Sequence, residues 1–429
     1  MKRNFLKSTF ILFFGGFLTK ILGMVIKIIM IRNVGESTFG SYMLILPTFS
    51  FLIQLGQFGF PIAFAKLIAE ENRSSKQLFF SILPILFILH IVLFLLILFL
   101  SPFLSQVLFH QSQFQTPILA IAFVLPFTSL SSVCRSYFFG KGKMIPHVVS
   151  HVTEDLVRMF IYLFLLPMFL EYSSSMIITF LILTNIVSEC ISFLVLFFFL
   201  PKNISIRKKD FKWNWENVRD SFQISLPNTG SRFIGSLGYF LEPILLTYFL
   251  TSSGYSISYI TTEYGIITGY VLPILLLPSF FTSAIAQAIF PILSKESSLN
   301  HTISIQRKIK LTLVLSFVIG IVFTLCFLLF PHFILSFLYQ TNQGISYLRF
   351  LSLFTIFQYI QSILSTSLDS LGKSNDILIS VLIGTIVRIL SFILFSQFSI
   401  GIWSYLLSTA CHIFVTTFYL MRKVFQNFS

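Results

Sequence analysis

Four cationic side chains, Lys20, Arg158, Arg232 and Arg388, each stand in the middle of an apolar run long enough to cross a lipid bilayer. A charge at the centre of hydrocarbon costs about 2.5 kcal/mol or more, so it persists where it meets a partner, a cavity or a bound ion. Four of them at similar depth are the chemistry of an anion site, in which fixed positive charges hold a phosphate or carboxylate. Lys27, seven residues beyond Lys20 on nearly the same helical face, either lines that site or reaches back to the bilayer boundary. For Arg158 a purely structural role stands beside the functional one. Glu154 and Asp155 lie four and three residues earlier, at ion-pair spacing on a helix. Glu242, ten residues after Arg232, and Glu189, alone in its run, could each answer a cation from a neighbouring helix. Glu154, Asp155 and Glu242 are also the candidates for binding a coupled ion.

The elements that position these groups follow from composition. Of 429 residues, 55% are hydrophobic, 55 are Phe and only 10% are charged, which describes an all-α integral membrane protein. Apolar runs near the ~20 residues a spanning helix needs lie at roughly 8–32, 39–64, 77–100, 117–138, 146–170, 176–200, 221–250, 264–290, 309–331, 346–369, 376–396 and 398–421, about twelve in all. The first run follows Met1-Lys2-Arg3, carries Lys20 and Lys27 and shows no small-residue cleavage pattern, so it reads as an uncleaved span.

Lys and Arg concentrate in alternate connections, as cytoplasmic loops require. Lys66, Arg73 and Lys76 mark one such side, as do Arg135, Lys141 and Lys143, the cluster around Arg207-Lys208-Lys209, and Arg307, Lys308 and Lys310. The connections at 101–116, 171–175, 251–263 and 397–401 have none. Both termini are thereby predicted to be cytoplasmic. The net charge of +14 then reflects topology and contact with anionic membrane lipids rather than nucleic acid.

The polar stretch 201–220 splits the runs six and six, which predicts an N-terminal lobe over 1–200, a basic cytoplasmic linker over 201–220 and a C-terminal lobe over 221–429. Gly142-Lys143, Ser150 and Val157-Arg158 recur as Gly372-Lys373, Ser380 and Val387-Arg388 at a constant offset of 230, and Phe60-Pro61-Ile62 recurs as Phe290-Pro291-Ile292. A shared offset over separated matches indicates duplication, with both repeats running in the same direction through the membrane. Pro47 and Pro61 in the second run answer Pro273 and Pro278 in the eighth, and interrupted helices at matching places are candidate hinges. Gly16 and Gly23 are expected to allow close helix approach.

Signs of catalysis and cofactors are missing from the sequence. Gly372-Lys373-Ser374 lacks the upstream glycine of a phosphate-binding loop, because Ser367 stands there. The four cysteines lie in apolar runs, and among the histidines only His147 and His151 are one turn apart, so neither a metal nor a cofactor is expected. The connections without Lys or Arg are short and hold few acids or histidines, too little for glycan polymerisation, so the expectation is that the chain is not an enzyme.

Several motifs together resemble the multidrug/oligosaccharidyl-lipid/polysaccharide exporter superfamily, in its group of polysaccharide transporters, stage V sporulation protein B and lipid II flippases. They are Lys20-Ile21-Leu22-Gly23 with Lys27 and Arg32-Asn33-Val34-Gly35, Gly59-Phe60-Pro61 with Ala65-Lys66, and Arg135-Ser136-Tyr137-Phe138-Phe139-Gly140 with Met144-Ile145-Pro146, Ser150, Glu154 and Val157-Arg158. Leu226-Pro227 with Ser231-Arg232, and Gly269-Tyr270-Val271-Leu272-Pro273 with Leu277-Pro278-Ser279, continue the likeness along most of the chain.

The resemblance implies a two-lobed transporter of the MATE-like fold in the cell membrane, working by alternating access. Its cavity cations would hold the diphosphate of a lipid-linked saccharide moved from inner to outer leaflet. Lys20, Arg158 and Arg232 match the family positions, and Arg388 follows from the repeat. A coupled Na+ or H+ fits the same scheme. The alternative within the superfamily is a cation-coupled multidrug antiporter, which would be expected to present acids rather than cations to mostly cationic drugs.

Overall fold

The computed structural model describes residues 2–70, 74–200, 213–299 and 302–426, with the side chains of 2–9, 227, 228, 231, 291 and 298 left out. Arg73, His301, the Arg207-Lys208-Lys209 cluster and most of the predicted linker, 201–212, lie outside the described residues. The described residues are overwhelmingly helical and contain no strand. This is what hydrocarbon demands, since a helix satisfies its backbone N–H and C=O groups within one segment.

In chain order the helices of the first half are α1 (Lys2–Gln57), α2 (Phe60–Ala69), α3 (Ser75–Phe103), α4 (Gln115–Gly140), α5 (Met144–Phe164), α6 (Ser174–Phe198) and α7 (Trp215–Ser252). There follow α8 (Ile257–Ile266), α9 (Leu272–Leu276), α10 (Ser279–Ser298), α11 (Thr302–Leu329), α12 (Pro331–Tyr339), α13 (Ile345–Ser370), α14 (Ser374–Ser396) and α15 (Trp403–Gln426).

Nine helical stretches among the described residues are long and apolar enough to cross a membrane. The first, Phe10–Gln57, has 48 residues, about 72 Å at 1.5 Å each and more than twice a ~30 Å hydrocarbon core. Gly35 breaks it with φ 77° and ψ 167°, between the two runs predicted there. Helices α5 and α13 coincide with two further predicted runs but fall outside the nine. The first carries Glu154, Asp155 and Arg158, and the second is rich in Ser, Thr and Gln.

Contacts divide the chain into two compact units, Met1–Ile244 and Leu245–Ser429, with the boundary inside α7. The first unit has a core where Phe60, Phe64, Leu67 and Ile68 of α2 meet Leu78, Ile82 and Leu86 of α3 and Val133 of α4. In the second, Ile289 and Leu293 of α10 pack with Ile305 and Ile309 of α11, Leu364 and Leu368 of α13, and Leu420 and Val424 of α15. Outside these cores, α3 exposes Phe87, Ile91, Leu95 and Phe99, and α11 exposes Leu311, Val314, Val318 and Val322. Such apolar surface would be an aggregation hazard in water and is the natural boundary with lipid.

The duplication reappears as backbone geometry. Shifted by 230, Gln115–Gly140 becomes Ile345–Ser370, and the turns that follow close with the same bonds. Gly142 N–H donates to Phe139 O (3.0 Å) and Lys143 N–H to Phe138 O (2.8 Å), while Gly372 N–H donates to Asp369 O (3.0 Å) and Lys373 N–H to Leu368 O (2.9 Å). Both glycines have positive φ, 69° and 73°, the left-handed closure of a helix C-terminus that a side chain disfavours.

The prolines interrupt helices to different degrees. Pro47 stays inside α1, whereas Pro61 opens α2 after the break at Phe58-Gly59. Beyond α8, the path runs through a π-helical segment, Ile267–Val271, then α9, opened by Pro273, and α10, preceded by Pro278. The expectation for Gly16 and Gly23 is corrected: among the described residues a Cβ there would meet nothing within 4 Å, whereas one at Gly15 would collide with Val148 of α5.

At Gly59, φ is 66° and an added Cβ would fall 2.8 Å from Ser225 O and 2.7 Å from Thr229 Oγ1. Gly59→Ala is therefore expected to destabilise the purified protein by about 1–3 kcal/mol, read as a lowered Tm, whereas Gly16→Ala leaves it unchanged or slightly raised.

Candidate functional site

In the first unit the structure assembles a buried charge cluster from three helices. Arg135, near the C-terminal end of α4, is 6% exposed, and its Nη2 donates to Glu154 Oε2 of α5 (2.6 Å), Glu189 Oε2 of α6 (2.7 Å) and Ser192 Oγ of α6 (2.7 Å). Ser192 in turn donates to Ser150 O (3.1 Å), closing α5 onto α6. Arg158, one turn beyond Glu154, donates to Glu154 Oε1 (2.5 Å) and Asp155 Oδ1 (3.3 Å). His151 Nδ1 lies 3.7 Å from Glu154 Oε2. Glu154 thus receives Arg158 on one oxygen and Arg135 on the other.

This arrangement answers the two readings of Arg158. Its charge is engaged by Glu154 and Asp155, as the helical spacing suggested. Arg135, read from sequence as a loop cation, is instead inside α4, and Glu189 answers it across helices. What could have revealed Arg135 is Glu189 itself. An acid in an apolar helix with no cation within a turn needs a partner on another helix, and Arg135 ends the neighbouring apolar run.

The other predicted residues stand on α1, α7 and α14. Lys20 is exposed and Lys27 half-buried on α1, which packs on α5, and Arg232 is exposed on α7. Glu242 is half-buried on the same helix. Arg388, in the second unit, donates through Nη2 to the Tyr405 hydroxyl (3.1 Å), and its guanidinium carbon lies 5.4 Å from the centroid of that ring. Arg158 and Arg388 occupy matching helices with different surroundings, because Glu154 and Asp155 are replaced at the same offset by Gly384 and Thr385. Gly384 serves contact: a Cβ there would meet Thr416 Cγ2 at 2.2 Å, so the backbone of α14 packs directly against side chains of α15. Beside it Gln361 donates to Thr416 Oγ1 and Thr417 Oγ1, both at 2.8 Å, tying α13 to α15.

A helical membrane bundle with a duplicated helix pair and cations inside its helices narrows the possible families, and a family model for polysaccharide biosynthesis proteins matches residues 5–297. The chain belongs to that family. A second model, MatE, matches residues 243–394. Stage V sporulation protein B of Bacillus subtilis is 31% identical over 413 residues, covering 94% of this chain and 80% of that protein. A solved inward-facing MATE-family transporter of the MOP superfamily superposes with a TM-score of 0.73 at 15% identity, covering 96% of this chain and 94% of the other.

Lipid II flippase MurJ is met twice. The Bacillus subtilis protein is 23% identical over 171 residues, covering 37% of this chain and 31% of its own length. The fold of a solved MurJ in its inward closed conformation matches with a TM-score of 0.72 at 15% identity, covering 96% and 87% of the two chains. The chain is thus a multi-pass membrane protein of the polysaccharide biosynthesis family, with the fold seen in a MATE-family transporter and in MurJ.

Removing one member of a buried ion cluster leaves its partner uncompensated, which costs roughly 3–5 kcal/mol. Arg135→Ala is expected to lower stability by that order, measured by denaturant unfolding in detergent, while Arg135→Leu combined with Glu154→Leu and Glu189→Leu recovers most of the loss.

Proposed function

We propose that the chain is a flippase for an anionic polyprenyl-diphosphate-linked saccharide, a precursor of cell-wall or other envelope glycan, carried from the inner to the outer leaflet of the cell membrane by alternating access. It performs no covalent chemistry in this reading. The observation that carries it is the recurrence of a guanidinium inside matching helices of the two units, Arg158 and Arg388, with Lys20 and Arg232 in two further apolar helices, in a chain of the polysaccharide biosynthesis family. A relative named lipid II flippase supports the cargo class.

In this scheme Lys20, Arg232 and Arg388 hold the diphosphate and Lys27 lines its path. Arg158, engaged by Glu154 and Asp155, links that site to a cation-binding cluster in which Glu154, Asp155 and Glu242 are the candidates for a coupled Na+ or H+. Pro47, Pro61, Pro273 and Pro278 supply the hinges. About twelve crossings in two six-helix lobes, with both termini cytoplasmic, complete the topology, and the length and break of α1 support two crossings there. Energetics allow export: moving two negative charges outward across an inside-negative potential of about 100 mV releases roughly 4.6 kcal/mol.

A second reading, a cation-coupled multidrug antiporter, draws on the MatE match and on the acids gathered around Arg135. Liposomes reconstituted with fluorescent lipid-linked oligosaccharide, challenged with an outside quencher, separate the two. The flippase reading expects quenching that exceeds protein-free vesicles and slows about tenfold or more in Lys20→Ala and Arg388→Ala, the loss of one charge-assisted contact each. Unchanged rates in both variants would sink the anion-site assignment, and transport of a cationic dye without any lipid flipping would favour the antiporter.

A further inference from the structure

Arg135 is asked to satisfy more acceptors than its nitrogen has hydrogens. Nη2 carries two N–H groups, yet Glu154 Oε2, Glu189 Oε2 and Ser192 Oγ all lie 2.6 to 2.7 Å from it. The Ser192 hydroxyl hydrogen is directed to Ser150 O. Charge points the same way, since three carboxylates, Glu154, Asp155 and Glu189, face two guanidiniums, Arg135 and Arg158. A buried cluster with one surplus negative charge is relieved by neutralisation, and a hydrogen on one carboxyl supplies the missing donor as well.

The cluster also has an entrance. A cavity of about 410 Å³ is lined by Lys66 of α2, Ser132 and Arg135 of α4, and His147 and His151 of α5, at the end of the unit predicted to face the cytoplasm. The His147 and His151 rings stand 5.0 Å apart, and the His151 side chain is 41% exposed while approaching Glu154. Arg135 Nε and His147 Nδ1 are buried there without a hydrogen-bond partner among the described residues. The charged and titratable neighbours are Lys66, exposed, from α2, Arg135 from α4, and His147, Glu154, Asp155 and Arg158 from α5 itself. Cys134 of α4 and Tyr162 of α5 also neighbour the arginines, Glu189 and Cys190 come from α6, and the packed helix α1 carries Lys20, Lys27 and Tyr42, the last in electrostatic contact with Arg158.

We infer that the cluster binds one exchangeable proton, shared by the Glu154 and Glu189 carboxyls around Arg135 and exchanged with cytoplasmic water through the cavity by way of His151. This rests on the transporter reading and names its coupled ion. Water or buffer in the cavity gives up the proton, the His151 ring passes it on, and an O–H bond forms on a carboxyl; release reverses each step. The proton adds a charge to the cluster and lets Arg135 keep α4, α5 and α6 together without an uncovered acid.

The test uses infrared difference spectroscopy on the full-length protein in lipid nanodiscs, stepped between mildly alkaline and mildly acid buffer, with flipping measured separately in liposomes. One carboxyl C=O stretch is expected to appear on acidification in the parent protein. It should be absent in Glu189→Gln, an isosteric change that also removes the surplus charge. In His151→Ala, at a half-buried position, the band should reach the same amplitude about tenfold or more slowly. No carboxyl band in the parent, an undiminished band in Glu189→Gln and Glu154→Gln alike, or a band abolished by adding Na+ at constant pH each overturns the inference. Because proton uptake is read without cargo, a protein that fails to flip lipid but shows the band leaves the proton site standing and removes only the flippase reading.

Discussion

Hydrocarbon offers a polar group nothing to bond, and each unit reflects that constraint. Backbone amides are closed within helices, and the apolar side chains of α3 and α11 face outward where water would have driven them in. Charges that enter the helices have to be answered inside the protein. Arg135 shows the consequence most sharply, because one guanidinium draws carboxylates from α5 and α6 onto α4 and so decides how those three helices meet. Serine hydroxyls complete the arrangement by returning their hydrogens to nearby carbonyl oxygens.

The two copies of the helix–turn–helix at the 230 offset make a controlled comparison of how a membrane protein treats a half-buried guanidinium. Backbone closure is conserved to the level of individual hydrogen bonds, with a left-handed glycine at the same place. Arg158 has become part of an ion cluster, while Arg388 rests on the hydroxyl and ring of Tyr405. One repeat has concentrated carboxylates around its cations, and the other has used small residues, Gly384 and Thr385, where those carboxylates would stand. In the proposed scheme the first arrangement binds a small cation and the second an anionic cargo.

Membership of the polysaccharide biosynthesis family sets these features in a multi-pass membrane protein. The solved MATE and MurJ folds are alike at identities too low to transfer chemistry. The chemistry of this chain therefore rests on its own side chains, above all the acids of α5 and α6 and the cations of α1, α7 and α14.

Much of this was legible in the sequence because membrane insertion is largely a local property. Apolar run length forecast where helices lie, the 230-residue offset revealed the duplicated turn, and the spacing of Glu154, Asp155 and Arg158 forecast their pairing, since residues three and four apart share a helical face. The breaks at Gly35, Pro61 and Pro278 were marked by the residues that cause them. Tertiary structure alone decided that Arg135 lies in α4 and not in a loop, that Glu189 faces it, that Gly15 rather than Gly16 or Gly23 makes a close contact of α1, and that a cavity lined by His147 and His151 reaches Arg135. Contacts between helices distant in sequence depend on rotation about each helix axis, which apolar runs with little amphipathic contrast leave unspecified until the helices pack.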